Sequence, residues 1–501
     1  MPSSFQLSFE EPLSFACGEM TDLTAPSAYS GLYGFHKYWG KKPVEPLRAL
    51  ISVLSDAGDL VADPFLGAGA IAREAAVLKR RFLGSDINPV ALRLASFNIN
   101  PCSAQAYKSA LQHLSDTVQS SILESYDVEG LGLTSHLLWE EGVISSVWQR
   151  PVSGVRRRLE RGVTDADYEL SALYEGYEPK ILRDLVIFKN SRINASADLD
   201  WKTLFSGRAL RNIEILIKAI RLLPSDVREA FELTLTASIG QMSRMVFAIT
   251  SRGKTTGATA GKVEVGSWVL GFWRPKQHFE INVWNCFEAR ASKLARALPE
   301  IPVPITVGKT IGSVLGGQTA VYLSNRGALS LLKEVPESSI QLVITDPPHG
   351  DRIPYLELSE IWNAVLDEIP CLSDEIVVSN AAARQMTMNE YNARLTEALQ
   401  TTALKVKDGG FVVLLFNSRH QKEWQALKAL EGAEGIGLVG ALPLNYSARS
   451  VVQDNRKGAM KTDFIIVYAK GRPCSERVRK LAMVPGWVSQ LPSCTEKNSK
   501  W

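Results

Sequence analysis

Val343-Ile344-Thr345-Asp346-Pro347-Pro348-His349-Gly350 decides how this chain reads. Apolar and β-branched residues run straight into a carboxylate and then into two prolines, which have no N–H to continue a ladder or a helix. The run predicts a short buried strand with Asp346 at its carboxyl end, the edge where open α/β sheets hold their ligands. The prolines fix the direction of the Pro347 carbonyl. A carboxylate beside a fixed carbonyl offers two acceptors to one NH2 group, so the local chemistry suits an exocyclic amine. Taken alone, the same residues also read as a plain strand-ending turn. Only a second element can separate the two readings.

That element lies far upstream. Leu60-Val61-Ala62-Asp63-Pro64-Phe65-Leu66-Gly67-Ala68-Gly69-Ala70 reads as a strand and a tight glycine turn, followed by a helix over 71–79. Gly67 and Gly69 let the backbone approach a ligand and adopt φ values closed to other residues. About twenty residues on, Phe82-Leu83-Gly84-Ser85-Asp86-Ile87-Asn88-Pro89 is a second strand ending in an acid, and an acid there can accept both hydroxyls of a ribose. Asn88-Pro89 opens a helix over 90–98. Before both stands Phe35-His36-Lys37-Tyr38-Trp39-Gly40-Lys41-Lys42-Pro43, which leads into an amphipathic helix over 44–54. Aromatic and basic residues interleaved in this way suit a planar or anionic ligand.

The Asp-Pro-Phe-x-Gly-x-Gly turn, the Gly-x-Asp strand and the Asp-Pro-Pro-x strand end together resemble the S-adenosylmethionine-dependent amino-methyltransferases of DNA, which modify N6 of adenine or N4 of cytosine. The resemblance covers about residues 35–100 and 310–470. It implies an α/β fold: a Rossmann-like methyltransferase sheet, mostly parallel with an antiparallel last strand, carrying a large and mainly helical insertion. It implies S-adenosyl-L-methionine as cofactor. Asp63, Pro64, Phe65, Gly67 and Gly69 would border its methionine part, with His36, Lys37, Tyr38 and Trp39 beside the methionine end. Asp86 would hold the ribose with Ile87 packing on the adenine, Asn88 would also contact the cofactor, and Asn325, at the end of the strand over 320–325, would meet the adenine ring. Asp346, Pro347, Pro348 and His349 would be catalytic. Two departures stand out. Ala70 replaces the usual threonine or serine, and His349 replaces the aromatic residue that stacks on the flipped base. A planar but smaller imidazole is expected to stack less strongly.

The length of 501 residues is ample for two domains or for one with an insertion. The expected division is an N-terminal arm (1–34), a cofactor-binding first part of the core (35–104), a target-recognition insertion (105–309), a catalytic second part (310–472) and a C-terminal tail (473–501). In the insertion, Arg156, Arg157, Arg158 and Lys254 are candidates for phosphate contacts. Helical periodicity runs over 210–223 and 227–247, and Asn282-Val283-Trp284 precedes a helix ending near 298. After His349, Arg352 and Tyr355 lead into a helix over 356–366, in a loop that covers the target pocket in the relatives. Strands over 411–416, 437–444 and 463–469 complete the core. Arg449, Arg456 and Lys457, between the last two, are expected to contact DNA.

Composition narrows the class. No run approaches the roughly eighteen apolar residues of a membrane helix, and the first residues are neither basic nor apolar enough for a signal peptide. Six cysteines without a CxxC pair argue against a disulfide framework or a structural zinc, and for a cytoplasmic location. Neither an HExxH nor a ligand cluster calls for a metal. A formal net charge of +3 permits nucleic acid without requiring it. The expected partner is double-stranded DNA, and a companion restriction or defence nuclease would fit such an enzyme.

Three other functions compete. Methylation at cytosine C5 needs a cysteine nucleophile after a proline; Pro101-Cys102 and Pro473-Cys474 occur, but neither follows an apolar strand ending at a pocket. Certain transfer-RNA guanine-N2 methyltransferases share an Asp-Pro-Pro-x-Gly-x-Arg strand end, and Asp346 to Arg352 has both the glycine (Gly350) and the arginine (Arg352), but they usually lack a long insertion. A DNA-binding protein that kept the fold and lost the chemistry would explain Ala70 and His349. Relatives with aspartate before the prolines are more often adenine-specific, so adenine N6 is the first expectation and cytosine N4 the second.

Overall fold

Strands Leu60–Asp63 and Ile340–Thr345 run parallel, side by side, at the middle of a seven-stranded sheet, with Val61 opposite Leu342 and Ala62 opposite Val343. The structure is a computed structural model, and it describes residues 30–149, 159–249, 263–268, 271–350, 353–379, 381, 384–417, 421–445, 462–484 and 486–489. From Leu60–Asp63 the sheet extends through Arg81–Ser85 to Val321–Ser324, all parallel. From Ile340–Thr345 it extends the other way, through the parallel strand Val406–Phe416 to Thr462–Lys470 and Ile436–Asn445. Thr462–Lys470, the last strand among the described residues, is antiparallel to both its neighbours. The expected mostly parallel sheet with an antiparallel last strand is what the chain forms.

The two central strands are buried at every position, as apolar runs must be when helices cover both faces of a sheet. Alternate residues feed two cores. Val61, Leu342 and Ile344 pack with Leu47, Leu50, Ile51 and Ala72, from helices Val44–Leu54 and Ala70–Val77. Leu60, Ala62 and Val343 pack on the opposite face with Leu331, Leu395 and Leu399, from helices Ala328–Glu334 and Met388–Lys405. The chain leaves the two central strands in opposite directions, so a crevice opens between their carboxyl ends.

Between Arg81–Ser85 and Val321–Ser324 the chain builds a second mass. Helices Ala104–Leu123, Gly207–Arg221, Ser225–Ile239 and Val283–Ala295 share one buried cluster with Val90, Leu94 and Phe97 of helix Pro89–Ile99 and with Leu358, Ile361 and Trp362 of helix Tyr355–Val365. A five-stranded antiparallel sheet, which the helical reading of the insertion does not anticipate, stands beside them. Its centre is the hairpin of Gly132–Glu140 and Val143–Gln149, with Gln277–Ile281 on the outer side of Gly132–Glu140. The hairpin closes on Glu141 and Gly142 at φ values of 50° and 88°, the pair of positive angles that matches strand twist. The helix expected over 227–247 stops at Ile239. Beyond it Phe247 bridges to His278, so sheet pairing overrides helical periodicity there. Among the described residues no helix is long and apolar enough to cross a membrane.

Candidate active site

The glycine turn forms because nothing larger fits. Gly69 has φ +77°, and a Cβ on it would lie 2.4 Å from the Cβ of Ala95 and 2.6 Å from its Cα, so helices Ala70–Val77 and Pro89–Ile99 could not cross this closely with any other residue. Gly67, at φ +51°, turns its N–H onto Asp86 Oδ2 at 2.8 Å, and the N–H of Asn88 reaches Asp86 Oδ1 at 2.8 Å. Each carboxylate oxygen thus holds one backbone donor and keeps a second acceptor direction, enough for a pair of hydroxyls. Burial pushes the Asp86 carboxyl up to about 6 against the pull of those two N–H groups.

Asp63 sits deeper, only 1 % exposed. Its Oδ1 accepts from the Phe65 N–H at 3.0 Å and from Thr345 Oγ1 at 2.6 Å, a side-chain contact across 282 residues of sequence that ties the glycine turn to the Asp346 strand. Burial pushes its carboxyl up to about 7; the Thr345 and Phe65 hydrogen bonds oppose the shift, and nearby Asp346 and Asp86 add to it.

One cleft joins these groups. Tyr38, Trp39, Asp63, Pro64, Phe65, Gly67, Gly69, Asp86, Ile87, Asn88, Asp346, Pro348 and Tyr355 all border it, and its empty space is about 1090 Å3 with the open mouth included. Ile87 and Gly327 both border the cleft, and a Cβ on Gly327 would lie 3.8 Å from Ile87 Cγ2 and 3.5 Å from Asp374 Cβ, so these residues approach closely there. The glycine turn and the two-acceptor Asp86, side by side in the cleft wall, fit a ligand that carries a ribose.

Several expected residues lie elsewhere. His36 is 3 % exposed and does not border the cleft. Its Nδ1 is 2.6 Å from the Lys37 carbonyl and its Nε2 3.0 Å from Thr236 Oγ1, so the ring ties this segment to helix Ser225–Ile239 instead. Lys37 donates to the Trp268 carbonyl at 3.1 Å and lies over the Trp268 ring. Both therefore join the core to the insertion and stand apart from the cleft lining. Asn325 also stands outside the cleft lining, its Nδ2 spent on the Asp86 carbonyl at 2.8 Å.

His349 departs most from expectation. It is 5 % exposed, its ring is 5.6 Å from that of Phe416, and its Nε2 lies 3.3 Å from Asp346 Oδ1. A ring buried behind Asp346 offers no face to a base in the cleft. Pro347, too, is not part of the lining, whereas Pro348 is. The Pro348 carbonyl accepts from Tyr391 Oη at 2.6 Å and from the Gly350 N–H at 3.1 Å, which pins the turn after Asp346. Tyr355, expected at the nucleic acid, borders the cleft with its ring stacked against Tyr38 at 6.3 Å. Trp39 borders it from the same side, stacked on Trp362 at 4.7 Å. Arg156, Arg157, Arg158, Lys254, Arg352, Arg449, Arg456 and Lys457 lie outside the described residues.

Two site residues escaped the sequence reading. Lys42 donates to Asp346 Oδ2 at 2.7 Å and lies 3.2 Å from Asp463 Oδ2. Lys42 ends the quoted aromatic and basic segment, but nothing in its spacing marks an acid some three hundred residues away as its partner. Asp463 opens the antiparallel strand, and only the sheet order carries it to the Asp346 edge.

Comparison with known proteins bears on the first half of this cleft. No curated protein matches the chain. A solved structure of a candidate DNA modification methylase from Thermus thermophilus is similar over 29 % of this chain and 53 % of that chain, at 14 % identity and a TM-score of 0.17. The chain therefore spans about half the length of that relative. A family model described as DNA methylase, of the N6/N4 type, matches residues 21–97, the stretch that holds the glycine turn and Asp86. A methyl donor of the S-adenosylmethionine type is what that family implies. Residues 21–97 are thus similar to the DNA methylase family.

Proposed function

We propose that this protein transfers a methyl group from S-adenosyl-L-methionine to the exocyclic amine of a base flipped out of double-stranded DNA, adenine N6 in the first place and cytosine N4 in the second. One observation carries the reading: the glycine turn with Asp86 and the Asp346 strand end border a single cleft, from strands adjacent in the sheet. In this reading Asp86 accepts the ribose hydroxyls, Ile87 and Asn88 flank the adenosine, and Asp63, Phe65, Gly67 and Gly69 border the methionine portion. Residues 35–104 and 310–472 would form the catalytic core and 105–309 the DNA-facing region.

When bound, the cofactor supplies an electrophilic methyl on a positively charged sulfur. The chain must make the amine a nucleophile. Its lone pair is delocalised into the base ring, and acceptors on its two protons draw the nitrogen toward tetrahedral geometry. Asp346 Oδ2, on the cleft side of that carboxylate, is the first acceptor, and the Pro347 carbonyl is the second in this proposal. As the nitrogen gains the methyl it becomes cationic, and one N–H bond breaks as its proton passes toward Asp346. Fixed acceptors in a partly dry site do this without reorganising during the reaction.

Labelled methyl transfer to duplex DNA tests the proposal, with digestion to nucleosides to identify the modified base. Asp346→Ala is expected to lower the rate by about 10²- to 10⁴-fold, the range for a positioned acid–base group. Cofactor affinity measured by calorimetry should stay close to that of the native protein. Transfer to transfer RNA and not to duplex DNA would replace this reading with the guanine-N2 one.

A further inference from the structure

The acceptor proposed for the target amine is already occupied. Lys42 reaches into the cleft from the residue before Pro43, is 7 % exposed, and donates to Asp346 Oδ2 at 2.7 Å. The other oxygen, Oδ1, is buried and turned toward His349 Nε2 at 3.3 Å. A Cβ on Gly40, in the cleft wall, would lie 3.6 Å from Oδ2 and 3.2 Å from the Tyr355 hydroxyl, so Oδ2 is the oxygen on the cleft side. An N–H donor at hydrogen-bond distance from that oxygen is what an incoming amine must become. The second carboxylate, Asp463, has its Oδ2 3.2 Å from the same ammonium, and the Gly40 carbonyl is at 3.5 Å.

We propose that the Lys42 ammonium holds the target amine's place in the resting enzyme, and that Asp463 retains it when the base enters. This rests on the reading of Asp346 as the amine acceptor. Stripping a buried ammonium from a lone carboxylate would leave two uncompensated charges and block the exchange. With Asp463 in contact, Lys42 gives up one partner and keeps another, so Asp346 Oδ2 becomes free while the lysine charge stays paired. Lys42 and Asp463 are then positioning residues, and access of the base to Asp346 depends on the balance between the two carboxylates.

The test is epistasis. Asp463→Asn removes the retaining charge and should fix Lys42 on Asp346, lowering kcat/KM for duplex DNA by about tenfold or more while cofactor affinity is unchanged. Adding Lys42→Met to Asp463→Asn removes the competitor and should recover most of that loss, a gain from a second deletion that a purely structural role does not give. Asp463→Glu keeps the charge and should stay within about threefold of the native rate. Melting curves and cofactor titrations establish that each variant is folded. A double variant as slow as Asp463→Asn, or a Glu variant as slow as the Asn one, overturns the inference. Native protein that binds cofactor yet methylates no DNA overturns the amine reading itself, and this inference falls with it. Normal native transfer with an unaffected Asp463→Asn overturns the inference alone.

Discussion

The two walls of the cleft are built by different means. On the glycine-turn side, Asp86 is held by the backbone N–H groups of Gly67 and Asn88, donors at most nineteen residues away. On the other side Asp346 is held by Lys42, more than three hundred residues away, with Asp463 and His349 beside it. The first wall is a local object whose spacing in the sequence is its geometry. The second exists only after the sheet has formed. A ligand grip that needs one fixed geometry suits backbone donors, whereas an acceptor that must exchange partners suits mobile ion pairs.

The sharpest way to break that contrast is at Asp86. If its two oxygens take a pair of ribose hydroxyls, Asp86→Ala should weaken cofactor binding by about 100-fold, from two charge-assisted hydrogen bonds each worth roughly 1.5–3 kcal/mol before compensation by water. Calorimetric titration with S-adenosylmethionine reads this directly. A change of less than twofold would mean that the carboxylate merely braces the Gly67 turn. The same titration on Asp346→Ala should show little change, since the second wall faces the base.

A smaller effect separates the two aromatic candidates for the target base. Tyr355 borders the cleft, and His349 is buried behind Asp346. Tyr355→Ala should raise KM for DNA about tenfold, the lower part of the roughly 1–3 kcal/mol range for loss of a base–aromatic stack. Tyr355→Phe should keep most of the affinity. His349→Ala should leave KM for DNA unchanged and instead lower the melting temperature, because it removes a ring packed beside Phe416. The reverse result, with KM raised by His349→Ala and not by Tyr355→Ala, would mean that the histidine swings out to meet the base.

The same division explains what the sequence could tell. The strands ending at Asp63, Asp86 and Asp346 are legible because apolar runs, glycines and prolines carry local backbone instructions. The parallel order of those strands follows from the resemblance the three motifs share. The antiparallel sheet of the insertion was not legible, because its outer strand Gln277–Ile281 pairs with Gly132–Glu140 from far along the chain. Lys42 and Asp463 escaped for a related reason: an ion pair between distant residues leaves no periodicity. His36 misled for the opposite reason. It stands in a segment whose Tyr38 and Trp39 do border the cleft, and a segment-level match says nothing about which way each side chain turns.

His36 supplies the smallest test, and it probes the joint between core and insertion instead of the cleft. Burial drives its imidazole down to about 3, with the Lys41 charge adding to the fall and the Lys37 carbonyl opposing it. A base whose folded-state value lies below the unfolded one contributes stability above pH 6.5, which is lost as the pH falls from there toward 3, because only the unfolded chain takes up the proton. With an unfolded value of about 6.5, the loss between pH 7.5 and pH 6 is about 0.8 kcal/mol. Asp63 and Asp86 shift the other way, since carboxyls raised by burial lose stability as the pH rises, so the native profile alone mixes both signs. The difference between native protein and His36→Gln isolates the histidine, because the amide can still meet the Thr236 hydroxyl but does not titrate. Denaturant midpoints at the two pH values should fall by less in the variant. Equal falls would mean that His36 is reached by solvent in the folded protein, and that the joint it forms with helix Ser225–Ile239 opens without unfolding.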